Sequence, residues 1–184
     1  MVMGLVRRMA ADQTREQDQA ALIAAARRGS ADALGAMYDR HAGPLLAIAY
    51  RLLQSRADAE DVVHDVFVGL PELLRKYEER GALGAWLKTV TARVALARLR
   101  ELSRQSHEDP DQFPRAAQDL DAAITLEAAL RTLSPALRAV LVLKEIEGFS
   151  HAEVARMLDI STGASEVRLH RALQQLRAML RTGD

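Results

Sequence analysis

The sequence has no cysteine, which excludes a disulfide framework and any thiolate-held metal and fits a reducing compartment. Aromatic residues are only 4%, and 184 residues hold just 10 glycines and 5 prolines. With Ala, Leu and Arg dominant, little interrupts helix propensity, so an all-α protein is expected. No apolar run approaches the roughly 18 residues needed to cross a bilayer. The N-terminus, "MVMGLVRRMAADQTREQDQ", lacks the apolar core of a signal peptide. A cytoplasmic protein with no membrane contact of its own follows as an expectation. A basic excess is missing as well: 25 Lys and Arg balance 25 Asp and Glu, for a formal net charge of +0. That argues against a nonspecific polyanion coat but leaves local patches open.

Catalytic patterns are also missing. "GFSHAE" is half of a nucleophile elbow, without the second glycine. No Walker loop, G-x-G-x-x-G or H-E-x-x-H occurs. Glu60 and His64 stand at i, i+4 like a metal pair, but no third ligand accompanies them. Neither an enzyme nor a metal or other cofactor is expected.

Helical signals then run almost the length of the chain. Residues 1–18 read as a flexible N-terminus. From Gln19, "AALIAAARRGS" ends on Gly29, suited to a helix C-terminus, and Ser30 is placed to cap the next helix. Gly43-Pro44 predicts a break, with Pro44 in the first turn of a new helix. Ser55 and Asp58 start "RADAEDVVHDVFVGL", whose Val62, Val63, Val66, Phe67 and Leu70 form an apolar stripe that Pro71 ends or kinks. A long helix follows from Ala82 to about Arg104, its expected buried side formed by Trp86, Leu87, Val90, Val94 and Ala97. Residues 105–121, rich in acids and holding two prolines, read as a flexible linker. Beyond it, Ser134-Pro135 opens a helix that Gly148 ends, and Ser150 with Glu153 forms a capping box. The expected architecture is two small helical domains, 19–104 and 122–182, on a tether.

Three segments carry chemistry. Residues 150–170, "SHAEVARMLDISTGASEVRLH", fit a helix-turn-helix in which Val154, Ala155, Leu158, Ile160, Leu169 and Ala172 form a small core. The last helix offers Arg168, His170 and Arg171 for a DNA groove. The helix 82–104 holds Lys88, Arg93, Arg98, Arg100 and Arg104 against the single acid Glu101. Just before it, "RKYEERG" places Tyr77 either as a stacking platform for an unpaired base or as a ring at the rim of a core. The stretch "DAEDVVHD" is the reverse, with Asp58, Glu60, Asp61 and Asp65 and no base. Those acids either favour a helix dipole or dock a basic partner.

In order along the chain, these segments resemble a bacterial RNA polymerase sigma factor of the extracytoplasmic-function (ECF) group, from about residue 20 to 181. "ADAEDVVHDVF" is similar to the region that meets the β′ clamp helices of core polymerase, which would make Asp58, Glu60, Asp61, His64 and Asp65 core-binding residues. "GAWLKTVTARVALARLR" resembles the helix that handles the −10 promoter element; the likeness assigns Tyr77, Arg80, Lys88, Arg93, Arg98 and Arg100 to it. "LSPALRAVLVLKEIEGFSHAEVARMLDISTGASEVRLHRALQQLR" resembles the domain that reads the −35 element, through Ser161, Thr162, Gly163, Ser165, Glu166, Arg168, His170 and Arg171. The resemblance also implies an anti-sigma factor as a partner, beside core polymerase and promoter DNA.

The chain departs from the family pattern at Arg93, where Asn is frequent, and at Ala97, where Asp is. Ser165 stands at an apolar position, a weak point in the small core, and Glu166 replaces a frequent Lys. Glu166 either accepts a hydrogen bond from a cytosine amino group or favours the helix start through its dipole. Two other functions remain: a free-standing helix-turn-helix regulator, and a helical adaptor holding an anti-sigma protein.

Overall fold

The computed structural model describes residues 17–78, 82–106 and 126–182. Most of the expected N-terminal and linker segments, and Arg80, lie outside these residues. Among the described residues every regular element is a helix. Helix α1 covers 17–27, and α2 (Ala31–Leu53), α3 (Arg56–Val68), α4 (Leu70–Arg75) and α5 (Leu83–Ser106) complete the first module. The second holds α6 (Leu126–Arg131), α7 (Pro135–Leu141), a π-helical turn (Val142–Ile146), α8 (His151–Leu158) and α9 (Thr162–Thr182).

Short polar side chains set most of the helix starts, because the first turn has amide N–H groups with no helical acceptor. The hydroxyls of Ser30, Ser55, Ser134 and Ser150 accept from Ala33, Asp58, Leu137 and Glu153. At Ser150 the reciprocal bond from its own N–H to Glu153 closes a full capping box. Gly29 and Gly148 leave their helices at φ +80° and +79°, where a Cβ would be strained.

Four local expectations are corrected. The chain does not break at Gly43-Pro44: α2 runs straight through, with Pro44 inside it. The carbon that usually drives the residue before proline out of the helical region is its Cβ, which Gly43 lacks. Met37 on one side of the proline and Leu45 on the other are buried in one cluster, so packing holds both halves. Helix α3 ends at Gly69, two residues before Pro71, which instead sits in the first turn of α4. Ala97 is exposed, whereas Thr91, Ala92, Ala95 and Leu96 are buried. The inner face of α5 is therefore rotated from the expected one, because α5 packs on both modules. Finally, the helix after Ser134 widens into a π turn, with Glu147 N–H bonded to Val142 O and Phe149 N–H to Leu143 O.

The two domains pack against each other. One cluster of Ile23, Met37, Leu45, Leu70, Leu74 and Leu87 lies wholly in the first. The other is continuous across both, joining Ile48, Leu52 and Leu96 to Leu130, Val140 and Val154. At this seam Arg138 is 6% exposed. Its Nε donates to Leu52 O at 3.2 Å and its Nη1 to Leu133 O at 3.3 Å. Leu52 is in the last turn of α2, whose carbonyls have no helical donor. Burial pushes this guanidinium down to about 10, still charged at neutral pH.

Arg138→Ala should lower the unfolding free energy by about 3 kcal/mol, since it strands buried carbonyls and leaves a void. Arg138→Met, which keeps the volume, should lose less. Urea denaturation followed by far-UV circular dichroism reads both.

Candidate functional site

Three surfaces carry the groups that the sequence singles out. On α3, Glu60, Asp61, His64 and Asp65 are exposed. Glu60 is paired with Arg56 at 2.8 Å. Asp61 and Asp65 have no ion pair among the described residues. Asp58 belongs elsewhere: it accepts from Arg98 of α5 at 3.0 Å, and Arg98 also meets Glu101 at 3.2 Å. The hydrogen bond from the Ser55 hydroxyl, with Arg98 adding to it, holds the Asp58 carboxyl below its usual range. One residue expected to meet polymerase and one expected to meet DNA thus neutralise each other.

The face of α3 that bears Asp61 and Asp65 ends on Val68, one turn further on and 67% exposed. On the neighbouring side of the helix, Tyr38 is 49% exposed and its ring lies 4.9 Å from that of Phe67. Acids next to uncovered apolar and aromatic groups are the usual makings of a protein contact. Sequence reasoning missed Tyr38 and Val68. The available signal was that Val68 is apolar yet off the buried stripe of its helix.

The second surface is α5. Its cations do not form one open face. Lys88 Nζ lies 3.0 Å from Glu147 of the second module, and Arg100 Nη2 donates to Met157 O at 2.8 Å. Arg93 and Arg104 are exposed. Tyr77 is corrected to a core residue: it is 6% exposed, with its ring 4.8 Å from Trp86. Trp86 itself is half-buried and lines a cleft of about 440 Å³ with Lys76, Thr89, Phe149 and Glu153. It is the more available aromatic face, and the sequence reading had placed it in the core.

The third surface is the helix-turn-helix. Asp159 takes the left-handed conformation, φ 56°, that turns the corner between α8 and α9. The Ser161 hydroxyl accepts from Ala164 N–H at 3.0 Å and caps α9, so Glu166 is not its cap. Thr162, Gly163, Glu166, His170 and Arg171 are exposed, joined by Val167 at 51%. Arg168 is half-buried and faces a cleft of about 730 Å³ that Arg100, Arg104 and Leu158 also line. Ser165 does not belong to the outer face: it is fully buried, 2.9 Å from His151 Nδ1. The polar residue at an apolar position is satisfied, so it ties α9 to α8 instead of weakening the core.

The described residues thus include an exposed acidic helix face and a helix-turn-helix. The Sigma-70 region 2 family model matches residues 37–105, and the Sigma-70 region 4 model residues 123–176. RNA polymerase sigma factor CarQ of Myxococcus xanthus is 30% identical over 84% of this chain and 92% of its own length. ECF RNA polymerase sigma factor SigE of Mycolicibacterium smegmatis is 32% identical over 77% of this chain, which spans 59% of SigE. The sigma factor RpoE in complex with the anti-sigma factor NepR from Bartonella quintana matches with a TM-score of 0.56 at 25% identity, covering 76% of this chain and 91% of RpoE. The chain belongs to the ECF sigma factors of RNA polymerase. Such factors initiate transcription without catalysing a reaction, and the free-standing regulator and adaptor readings fall away.

The capping box gives a pH prediction. Hydrogen bonds from Ser150, side chain first and then backbone, hold the Glu153 carboxyl below its ordinary 4.5. Folding therefore favours the ionised form, and this stabilisation is complete above 4.5 and fades as pH falls through the lower folded value. Glu153→Gln should be less stable than wild type at pH 7, with the gap closing in acid. Denaturant titrations at a series of pH values check it.

Proposed function

We propose that this sigma factor docks core RNA polymerase through the outer face of α3 and presents α5 and α9 to the −10 and −35 promoter elements. The observation that carries this division is charge placement: Asp61 and Asp65 stand open on the face of α3 that ends at Val68, while the basic groups assigned to DNA lie on α5 and α9. Opposite charges kept on separate faces let a chain of zero net charge hold a basic protein surface and a polyanion together.

On α3 the contact with the β′ clamp helices would use Asp61, His64 and Asp65, with Glu60 at the edge and Val68 and Tyr38 as apolar anchors. Arg93, Lys88, Arg100 and Arg98 would follow the opened strand, with Trp86 at its cleft as the surface for a splayed base. On α9, Glu166 would accept from a cytosine N4 in the major groove, while Arg171, His170, Thr162 and Arg168 hold backbone phosphates. The likeness to a sigma factor crystallised with its anti-sigma partner supports an anti-sigma factor as a regulator here too. Among the described residues no helix is long and apolar enough to cross a membrane; work on polymerase and DNA would place the protein in the cytoplasm.

Run-off transcription from genomic fragments with purified core polymerase tests the whole reading: new transcripts should appear only when the protein is added. Asp61→Lys with Asp65→Lys should weaken core binding about tenfold or more, with helix content unchanged. Glu166→Lys should relax one cytosine preference in the aligned −35 sequences, a discrimination worth about 1–3 kcal/mol. An unaltered preference would remove Glu166 from base reading.

A further inference from the structure

The outer face of α9 holds two residues that the fold does not account for. At about 100° per residue, Gly163, Val167 and His170 share one stripe within about 60°, with Glu166 and Arg171 at its edges. Ser165 and Ala172, both fully buried, mark the opposite side. Val167 is 51% exposed and packs against neither apolar cluster. A β-branched apolar side chain is a poor choice for a helix position in water, where Lys, Glu or Arg form helix better. Gly163, one turn before it, is poorer still. A Cβ there would meet nothing within 4 Å, and its backbone is helical. Neither close packing nor a left-handed turn therefore asks for glycine.

Helical side chains lean towards the N-terminus, so Val167 covers the turn that begins at Gly163. No side chain at position 163 stands over its methyls. The pair leaves an uncovered apolar spot at the centre of the face, between Glu166 and Arg171.

We infer that Val167 is a specificity-determining residue that reads the C5-methyl group of a thymine in the −35 element. This rests on the proposed seating of α9 in the major groove, but not on Glu166 reading a cytosine. Of the groups that the four bases present in that groove, the thymine methyl is the apolar one. A side chain without nitrogen or oxygen can recognise nothing else there. The χ1 rotamer that a helix favours for valine fixes the direction of its methyls before DNA arrives, so little side-chain freedom is lost on binding. Gly163 lets the base edge approach the helix without meeting a side chain. The methyl also separates T·A from C·G, whose cytosine lacks it. Phosphate contacts by His170 and Arg171 set the register of α9 without reading sequence, and Val167 adds the reading.

A promoter found by run-off transcription supplies the test duplex. It is resynthesised with deoxyuridine for each thymine of the −35 region in turn, in either strand, which removes one methyl and keeps the pairing. Binding of each duplex to holoenzyme is read by gel mobility shift. At one position the exchange should weaken wild-type binding about fourfold, as expected for one buried methyl, and leave Val167→Ala binding unchanged. Val167→Thr, which keeps one methyl, should retain part of the effect. At the same position a 5-methylcytosine·guanine pair should bind wild type more tightly than plain C·G. The absence of any sensitive position, or an equal loss in wild type and Val167→Ala, overturns the inference. So does a Val167→Ala variant that binds core polymerase less tightly with no dependence on the methyl, which would make Val167 a protein contact. If scrambling the whole −35 region leaves binding unchanged, the seating of α9 in the groove fails, and the role of Val167 with it.

Discussion

Charge buried at the seam between the modules is the constraint on which the rest of this structure turns. A guanidinium cannot leave water without acceptors, and Arg138 finds them in the carbonyls of Leu52 and Leu133. The same solution recurs. Arg27 donates to Leu74 O and Tyr77 O at 2.9 and 2.6 Å, closing the end of α4. Arg100 does so for Met157 O at the end of α8. At the ends of α2 and α8 a carbonyl at the negative end of the helix dipole meets a cation from a distant element. Arginine suits the task because several N–H donors spread from one rigid plane. The carbonyl ends of α2 and α8 thereby become cross-module joints.

That use of arginine changes how the balance of charge is read. A count of cations along α5 suggests a strip of positive potential, yet most of them are committed. Arg98 belongs to Asp58 and Glu101, Lys88 to Glu147, and Arg100 to a carbonyl. Among the described residues that stand open are Arg93 on α5, Glu166, His170 and Arg171 on α9, and Asp61 with Asp65 on α3. Charges left in water act at long range and orient an encounter, whereas charges held in pairs shape the fold.

Local features of the fold were legible because they depend on neighbours in sequence. Ser30, Ser55, Ser134 and Ser150 cap helices through amides three residues away, and Gly29 and Gly148 close helices by their own backbone freedom. What misled was any residue whose role is fixed from far along the chain. Pro44 reads as a break until Met37 and Leu45 are seen packing together across it. Ala97 reads as buried until α5 is seen between two modules. Glu147 reads as an ordinary acid at a helix end, and no spacing links it to Arg51 and Lys88. Of the candidate site, the three segments were legible as compositions. Which side chains stand open in each was not, as Tyr77 and Ser165 show.

Ser165 shows how a departure from an apolar pattern can fix the angle between two helices. An apolar side chain between α8 and α9 would be held by contacts that tolerate sliding, since dispersion has little directionality. A hydroxyl bonded to a ring nitrogen at 2.9 Å has a preferred line of approach. It therefore limits how far α9 can turn about its own axis relative to α8. The start of α8 is fixed in turn by the capping box one residue before His151. Rotation of α9 sets the direction in which the exposed Glu166, Val167 and His170 are presented, and a turn of one residue would shift it by about 100°. The buried polar pair at the corner and the exposed residues on the helix are thus parts of one device: the first fixes the angle at which the second is presented.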